Sequence, residues 1–153
     1  MITNEWIPGH ADYTTALDIR KKVFGALPEY SRMQDQDTFD AYAMHLIVYC
    51  GDVPAATGRI YLAEDNRFHI DCIAVLQEYR AQGIGDLLTK LLLYKGFSFA
   101  EEIDTCPRET EVSFFKRYGF VQMGREEDRI FLSLEKNNCI YPSKCGHNGG
   151  TTE

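Results

Sequence analysis

The sequence predicts an α/β fold, and three stretches carry the prediction. Ile70 to Val75 is an apolar run of strand length, followed by the glycine loop Arg80 to Gly85 and then a leucine-rich segment with helical spacing. His45 to Tyr49 and Ala55 to Ala63 read as two strands joined by the turn pair Gly51-Asp52. Val121 to Met123 and Ile130 to Leu134 alternate as a second hairpin near the end. Strands and helices are thus interleaved within 153 residues, a length that suits one domain with a core of its own.

Taken in order, Ile2 to Ile7 is the first strand, stopped by Pro8-Gly9. A helix is expected from Tyr13 to Leu27, with Asp12 as N-cap and Pro28 beyond its end. Its apolar stripe is Tyr13, Ala16, Leu17, Val23 and Phe24. Arg20 falls inside that stripe, and two readings stay open. Either its stem packs while its head reaches water, or its guanidinium is aimed into a site. Residues 29 to 40 are polar, carry Asp35, Asp37 and Asp40, and read as a loop entering a short helix.

Asp65-Asn66 makes the turn into the fourth strand, Phe68 to Val75. The helix that opens near Gly83 runs to about Phe97 and turns Leu87, Leu88, Leu91 and Leu92 toward the sheet. Glu102 to Cys106 is a fifth strand, cut off by Pro107. Glu109 to Tyr118 is a helix with Gly119 just past its end. From Asn137 the chain is rich in Asn, Gly, Ser and Thr, so 1–136 reads as the domain and 137–153 as a flexible tail.

Composition narrows the functional class. The formal net charge of −7 argues against a nucleic-acid groove, which needs clustered basic residues. An acidic surface either attracts a cationic ligand such as an amine or serves solubility alone. No stretch of about 18 apolar residues suggests a membrane span. The start, M-I-T-N-E-W, has neither a basic segment nor an apolar core, so no secretory signal is expected. The five cysteines are odd in number and their spacing suggests no disulfide framework, which favours a reducing, cytoplasmic setting. Cys139, Cys145 and His147 match no standard zinc spacing, so no metal is expected.

The glycine loop is the sharpest functional signal. Glycines let backbone approach an anion, and the first turn of the following helix offers N–H groups at the positive end of its dipole. No Walker string G-x-x-x-x-G-K occurs, and Leu88 stands where a dinucleotide fingerprint needs its third glycine. Arg80, Gly83 and Gly85 instead fit [Arg or Gln]-x-x-G-x-[Gly or Ala], within I-A-V-L-Q-E-Y-R-A-Q-G-I-G-D-L-L.

This stretch resembles the acetyl-CoA-binding motif of the GNAT superfamily of N-acyltransferases. Phe114 to Phe120, F-F-K-R-Y-G-F, is similar to the family's F-Y-x-x-x-G-F helix end. I-R-K-K-V-F with Asp37, Asp40 and His45 resembles the acceptor half of small bacterial members, with Leu27 where those relatives often carry glutamate. The resemblance covers roughly residues 10 to 135. It implies a central mixed sheet flanked by helices, acetyl-CoA as acyl donor, and an acceptor that is a small-molecule amine or a protein amino group. A homodimer is left open.

Residue by residue, the resemblance implies that Ile73, Ala74 and Val75 bind the pantetheine arm through their backbone and polarise the carbonyl. Arg80, Ala81, Gln82, Gly83, Ile84 and Gly85 take the pyrophosphate, and Phe115 lines the cofactor. Asp86 adjoins the loop, and its carboxylate must point away from the phosphates.

Acyl transfer also needs a base, because an alkyl ammonium with a pKa of about 10.4 has no lone pair to attack with. Asp71 is the first candidate, two residues before Ile73 and so expected on the same strand face. His69 shares that face as base or partner, and a polar strand residue is the plain alternative for Asp71. The acid is less clear, since Phe115 stands where the family's usual tyrosine is. Tyr118, three positions on, either substitutes or packs, and Cys106 and Tyr79 are weaker alternatives.

Overall fold

In the computed structural model, which describes residues 1–25, 27 and 37–141, the sheet is mixed, as expected. β1 (Ile2–Pro8), β2 (Met44–Cys50) and β3 (Val53–Leu62) form an antiparallel meander. β4 (Phe68–Val75) pairs in parallel with β5 (Glu102–Thr105), matching Phe68 to Ile103 and His69 to Asp104. β7 (Arg129–Glu135) is antiparallel to both β5 and β6 (Val121–Glu126). The seven strands hydrogen-bond in the order β1-β2-β3-β4-β5-β7-β6. Three α-helices are described: α1 (Thr14–Phe24), α2 (Ile84–Phe97) and α3 (Val112–Lys116).

Two compact units can be distinguished, Met1–Leu62 with Cys72–Leu92, and Ala63–Asp71 with Leu93 onward. In the first, α1 covers the meander through Ala16, Ile19 and Phe24, packed with Ile7, Tyr13, Ile47, Ala74 and Leu76. Ile19 belongs to this core although the sequence stripe omits it, whereas Leu17 and Val23 are only partly buried. Asp12 accepts from the Thr14 N–H at 3.0 Å and the Thr14 hydroxyl at 2.6 Å, so it serves the helix start from one residue further out than expected. α1 ends at Phe24, earlier than expected, at the poor helix former Gly25. Pro28 and most of the polar loop lie outside the described residues, and Thr38–Tyr42 forms the short 3-10 helix at the loop's end.

β3 is buried along most of its length, and Gly58 lets α2 approach it: a Cβ there would lie 2.9 Å from Leu92 Cδ1 and 3.2 Å from Leu88 Cδ2. The buried face of α2 is Ile84, Leu88, Thr89, Leu92, Leu93 and Phe97, so Leu87 and Leu91, expected inside, are only half-buried. In the second unit, residues 109–118 form a 3-10 turn followed by the short α3 rather than one helix. The chain past 136 is held to this unit by Lys136 N–H to Glu101 C=O and Ile140 N–H to Tyr118 C=O, both 2.9 Å. Cys145 and His147 lie outside the described residues.

Candidate active site

The glycine loop takes a shape that few sequences tolerate. Ala81 has φ 63° and Gly83 φ 79°, two left-handed residues on either side of Gln82. For alanine that conformation costs roughly 1–2 kcal/mol, a strain that tends to be kept where a loop binds something. Arg80 Nε donates to Val75 C=O at 3.0 Å and Gln82 Nε2 to Glu78 C=O at 3.1 Å, which ties the loop to the strand end and to the 3-10 turn Gln77–Tyr79.

α2 then begins, its first helical bond running from Leu87 N–H to Gly83 C=O at 3.0 Å. The N–H groups of Ile84, Gly85 and Asp86 precede that ladder and sit at the positive helix end. A Cβ on Gly85 would meet only Val75 Cγ2, at an ordinary 3.6 Å, so packing gives no reason for glycine there. Asp86 is buried and pairs with Lys90 one turn along the helix at 3.0 Å, which directs its charge away from the loop. These features fit an anionic group such as a pyrophosphate, with backbone N–H groups as donors.

β4 changes character at Cys72, whose φ is 53°. A left-handed residue breaks the two-residue alternation, so the same-face argument for Asp71 and Ile73 does not carry across it. Beyond Cys72, Ile73 lies 3.4 Å from the position of a Gly58 Cβ, beside Leu88 and Leu92, while Ala74 joins the α1 core.

Before Cys72, the second unit holds a cluster of charged side chains. His69 Nδ1 lies 2.5 Å from Asp104 Oδ1, and His69 Nε2 lies 3.6 Å from Asp71 Oδ2. Arg67 Nη1 lies 3.7 Å from Asp104 Oδ2 and 4.0 Å from Glu102 Oε2, and Ser133 Oγ donates to Glu102 at 2.5 Å. Burial pushes the Cys106 thiol up, against the pull of Arg129, so it stays protonated beside these carboxylates. Asp104 is the member that sequence reading misses, because only its register opposite His69 reveals it.

The helix-end aromatic residues Phe115 and Tyr118 are both buried. Tyr118 has no exposed surface, and its ring packs edge-on to Phe114 at 5.6 Å. That is the packing alternative, and it leaves no surface for a leaving thiolate to touch. Phe115 is buried, with its ring edge-on to Phe114 and Phe120.

Arg20 is neither solvated nor open to a ligand. Its guanidinium is buried and grips Asp40 with two bonds, 2.9 and 3.2 Å. Arg59 binds the same carboxylate at 2.8 Å and Asp37 at 2.7 and 3.0 Å, with the Tyr61 ring centroid 5.2 Å away. Burial works against the Asp40 charge, but the Arg20 bond, the Asp37 N–H and the two guanidiniums outweigh it and hold its carboxyl at about 2. His45 Nε2 donates to Asp40 C=O at 3.1 Å and its ring stacks on Tyr13 at 4.3 Å. His45 Nδ1 has no hydrogen-bond partner among the described residues, and burial pushes its pKa down.

A mixed sheet whose fourth strand feeds a left-handed glycine turn at a helix start offers backbone N–H groups to an anionic group. The chain belongs to the Acetyltransferase (GNAT) family, whose model matches residues 12–120. It is similar to the uncharacterized N-acetyltransferase YjcF of Bacillus subtilis (strain 168), 24% identical over 113 residues, covering 73% of this chain and 80% of that one. Its fold is similar to that of Escherichia coli ElaA, with TM-score 0.74 and 18% identity over 88% of this chain and 100% of that one. A GNAT acetyltransferase from Elizabethkingia anophelis, solved with acetyl-CoA bound, gives TM-score 0.67 at 15% identity, over 88% of this chain and 97% of that one. Acyl transfer is therefore the class of chemistry. Among the described residues no helix is long and apolar enough to cross a membrane, and no group of three or more metal-binding side chains occurs.

Proposed function

We propose that this protein is an N-acetyltransferase that moves an acetyl group from acetyl-CoA directly to a primary amine of a small molecule or a protein. The observation that carries this reading is the turn from Arg80 to Asp86, with left-handed Ala81 and Gly83, an uncrowded Gly85, and Asp86 turned to Lys90. Backbone N–H groups of Ala81, Gln82, Gly83, Ile84 and Gly85 hold the pyrophosphate, with Arg80 bracing the loop. The backbone of Ile73, Ala74 and Val75 takes the pantetheine arm and polarises the thioester. Bound there, the donor supplies an activated acetyl carbonyl.

Asp71, on the same strand just before Cys72, accepts the ammonium proton so that the nitrogen lone pair can attack. With Tyr118 buried, the sulfur takes its proton from the amine nitrogen or from water. Cys50, Cys72, Cys106 and Cys139 are not joined in disulfides, which supports a cytoplasmic setting. A second reading, an acyl-CoA-binding module without turnover, is favoured by Phe115 and by the burial of Tyr118.

The experiment is release of free coenzyme A from acetyl-CoA across a panel of amines and peptides, with donor binding measured on the same sample. A blank without acceptor is needed because the chain has its own thiols. Turnover with one amine class supports the enzyme and names its acceptor. Donor binding without turnover over a broad panel supports the binding module, and absence of donor binding removes both readings.

A further inference from the structure

We propose that a second copy of this chain pairs with β1 along the sheet edge, the two β1 strands running antiparallel about a two-fold axis at Asn4. This is independent of the acyl-transfer reading. β1 stands first in the strand order, and its residues Ile2 to Glu5 are exposed. Its register with β2 runs unbroken from Ile2 opposite Cys50 to Pro8 opposite Met44. Edge strands are ordinarily blunted by bulges, charges or proline. β6, last in the order, has a register shift between Gln122 and Gly124 and the exposed charges Arg125 and Glu126. β1 reaches Pro8 with one charged side chain, Glu5, which accepts from the Tyr49 hydroxyl at 3.0 Å.

The backbone sets the register of the second copy. The Gly51 N–H donates to Met1 C=O at 2.8 Å. Antiparallel pairs alternate between bonded and non-bonded, so Thr3, Glu5 and Ile7 turn their backbone groups toward β2. Ile2, Asn4 and Trp6 turn theirs toward the edge. With the axis at Asn4, the two Asn4 residues face each other and exchange two backbone hydrogen bonds, and Ile2 faces Trp6 of the second copy on either side. Between them Thr3 faces Glu5 of the second copy, hydroxyl against carboxylate, in the closer-spaced pairs. Each match occurs twice, as a two-fold interface requires. An axis at Glu5 would set the two Glu5 carboxylates against each other and bring Pro8, which has no N–H, opposite Ile2. An axis at Thr3 would give up the Thr3–Glu5 match and set Glu5 against Met1.

The test is sedimentation equilibrium of the full chain at rising concentration, with circular dichroism as the control for folding. The wild type is expected to associate to twice the mass of one chain. Asn4→Pro removes the N–H at the axis and keeps every bond to β2, because that N–H points to the edge. It should keep the wild-type spectrum and raise the dimer dissociation constant at least about tenfold, through loss of the two central bonds. Thr3→Glu sets like charges opposite each other and should weaken the dimer, and adding Glu5→Thr exchanges the pair and should restore it. A wild type that stays monomeric overturns the proposal. So does a dimer that Asn4→Pro leaves unchanged, or a Thr3→Glu loss that Glu5→Thr does not reverse. If Asn4→Pro unfolds the chain, the exchange of Thr3 and Glu5 decides.

Discussion

The carboxylate of Asp40 serves two buried guanidiniums at once, and that sharing makes its removal unusually costly. In Asp40→Asn, Arg20 and Arg59 keep their charges, each only 3% exposed, and lose the carboxylate that both of them bond. The fall of the Asp40 carboxyl from 3.8 to about 2 corresponds to roughly 2 kcal/mol of preference for the charged form, at about 1.36 kcal/mol per unit. Leaving a buried charge without its partner raises the expected loss of unfolding free energy to about 3–5 kcal/mol.

Arg20→Met is the informative contrast. It leaves Asp40 paired with Arg59 and bonded to the Asp37 N–H, so about 1–3 kcal/mol is expected. Urea unfolding followed by circular dichroism measures both variants. The pH dependence adds a second check. Because the folded pKa lies below the unfolded one, the Asp40 contribution is full above pH 3.8 and is lost as pH falls through about 2. The gap between wild type and Asp40→Asn should therefore close over that window. An Arg20→Met variant as unstable as Asp40→Asn, or a gap that persists at the acid end, would refute the shared-carboxylate argument.

Other expectations are more local. Gly83→Asp should abolish acetyl-CoA binding by calorimetry, because it adds bulk and negative charge at the anion site, at a position whose φ of 79° favours glycine. Unchanged affinity would move the pyrophosphate away from this turn. Gly58→Val should lower stability by about 1–3 kcal/mol by pushing on Leu88 and Leu92, read as a fall in urea midpoint. His45 is held neutral by burial, so its contribution is complete above its usual pKa of 6.5 and declines as pH falls below it. Stability measured at pH 7.5 and 5.5 should differ less in His45→Phe than in wild type.

The parts of this fold written locally were legible in the sequence. Phe68–Val75 is the strand expected, the helix after Gly83 ends at Phe97 as expected, and Gly51 takes φ 62° at its turn. Local signals fail where tertiary contacts decide. The buried face of α2 is set by what it meets, including Gly58 on β3, which no periodicity in the helix reports. Arg20 left two readings open because the outcome depends on Asp40, twenty residues away, and on Arg59 beyond it. At the candidate site, the loop was readable because its glycines carry their own backbone constraints. The His69–Asp104 contact was not, because it exists only through parallel pairing of two strands that are distant in sequence. Cys72 carries no sequence mark of a left-handed residue at all.

That kink gives one strand two separable vocabularies. Upstream of Cys72, β4 speaks through side chains, His69 and Asp71; downstream it speaks through main chain and packing, at Ile73 and Ala74. Because the alternation does not carry across the break, the upstream half can be rewritten one residue at a time without transmitting a change of phase to the half that leads into the glycine loop. A scaffold divided in this way can acquire a new reactive group, or lose one, while the half that leads into the glycine loop keeps its backbone course.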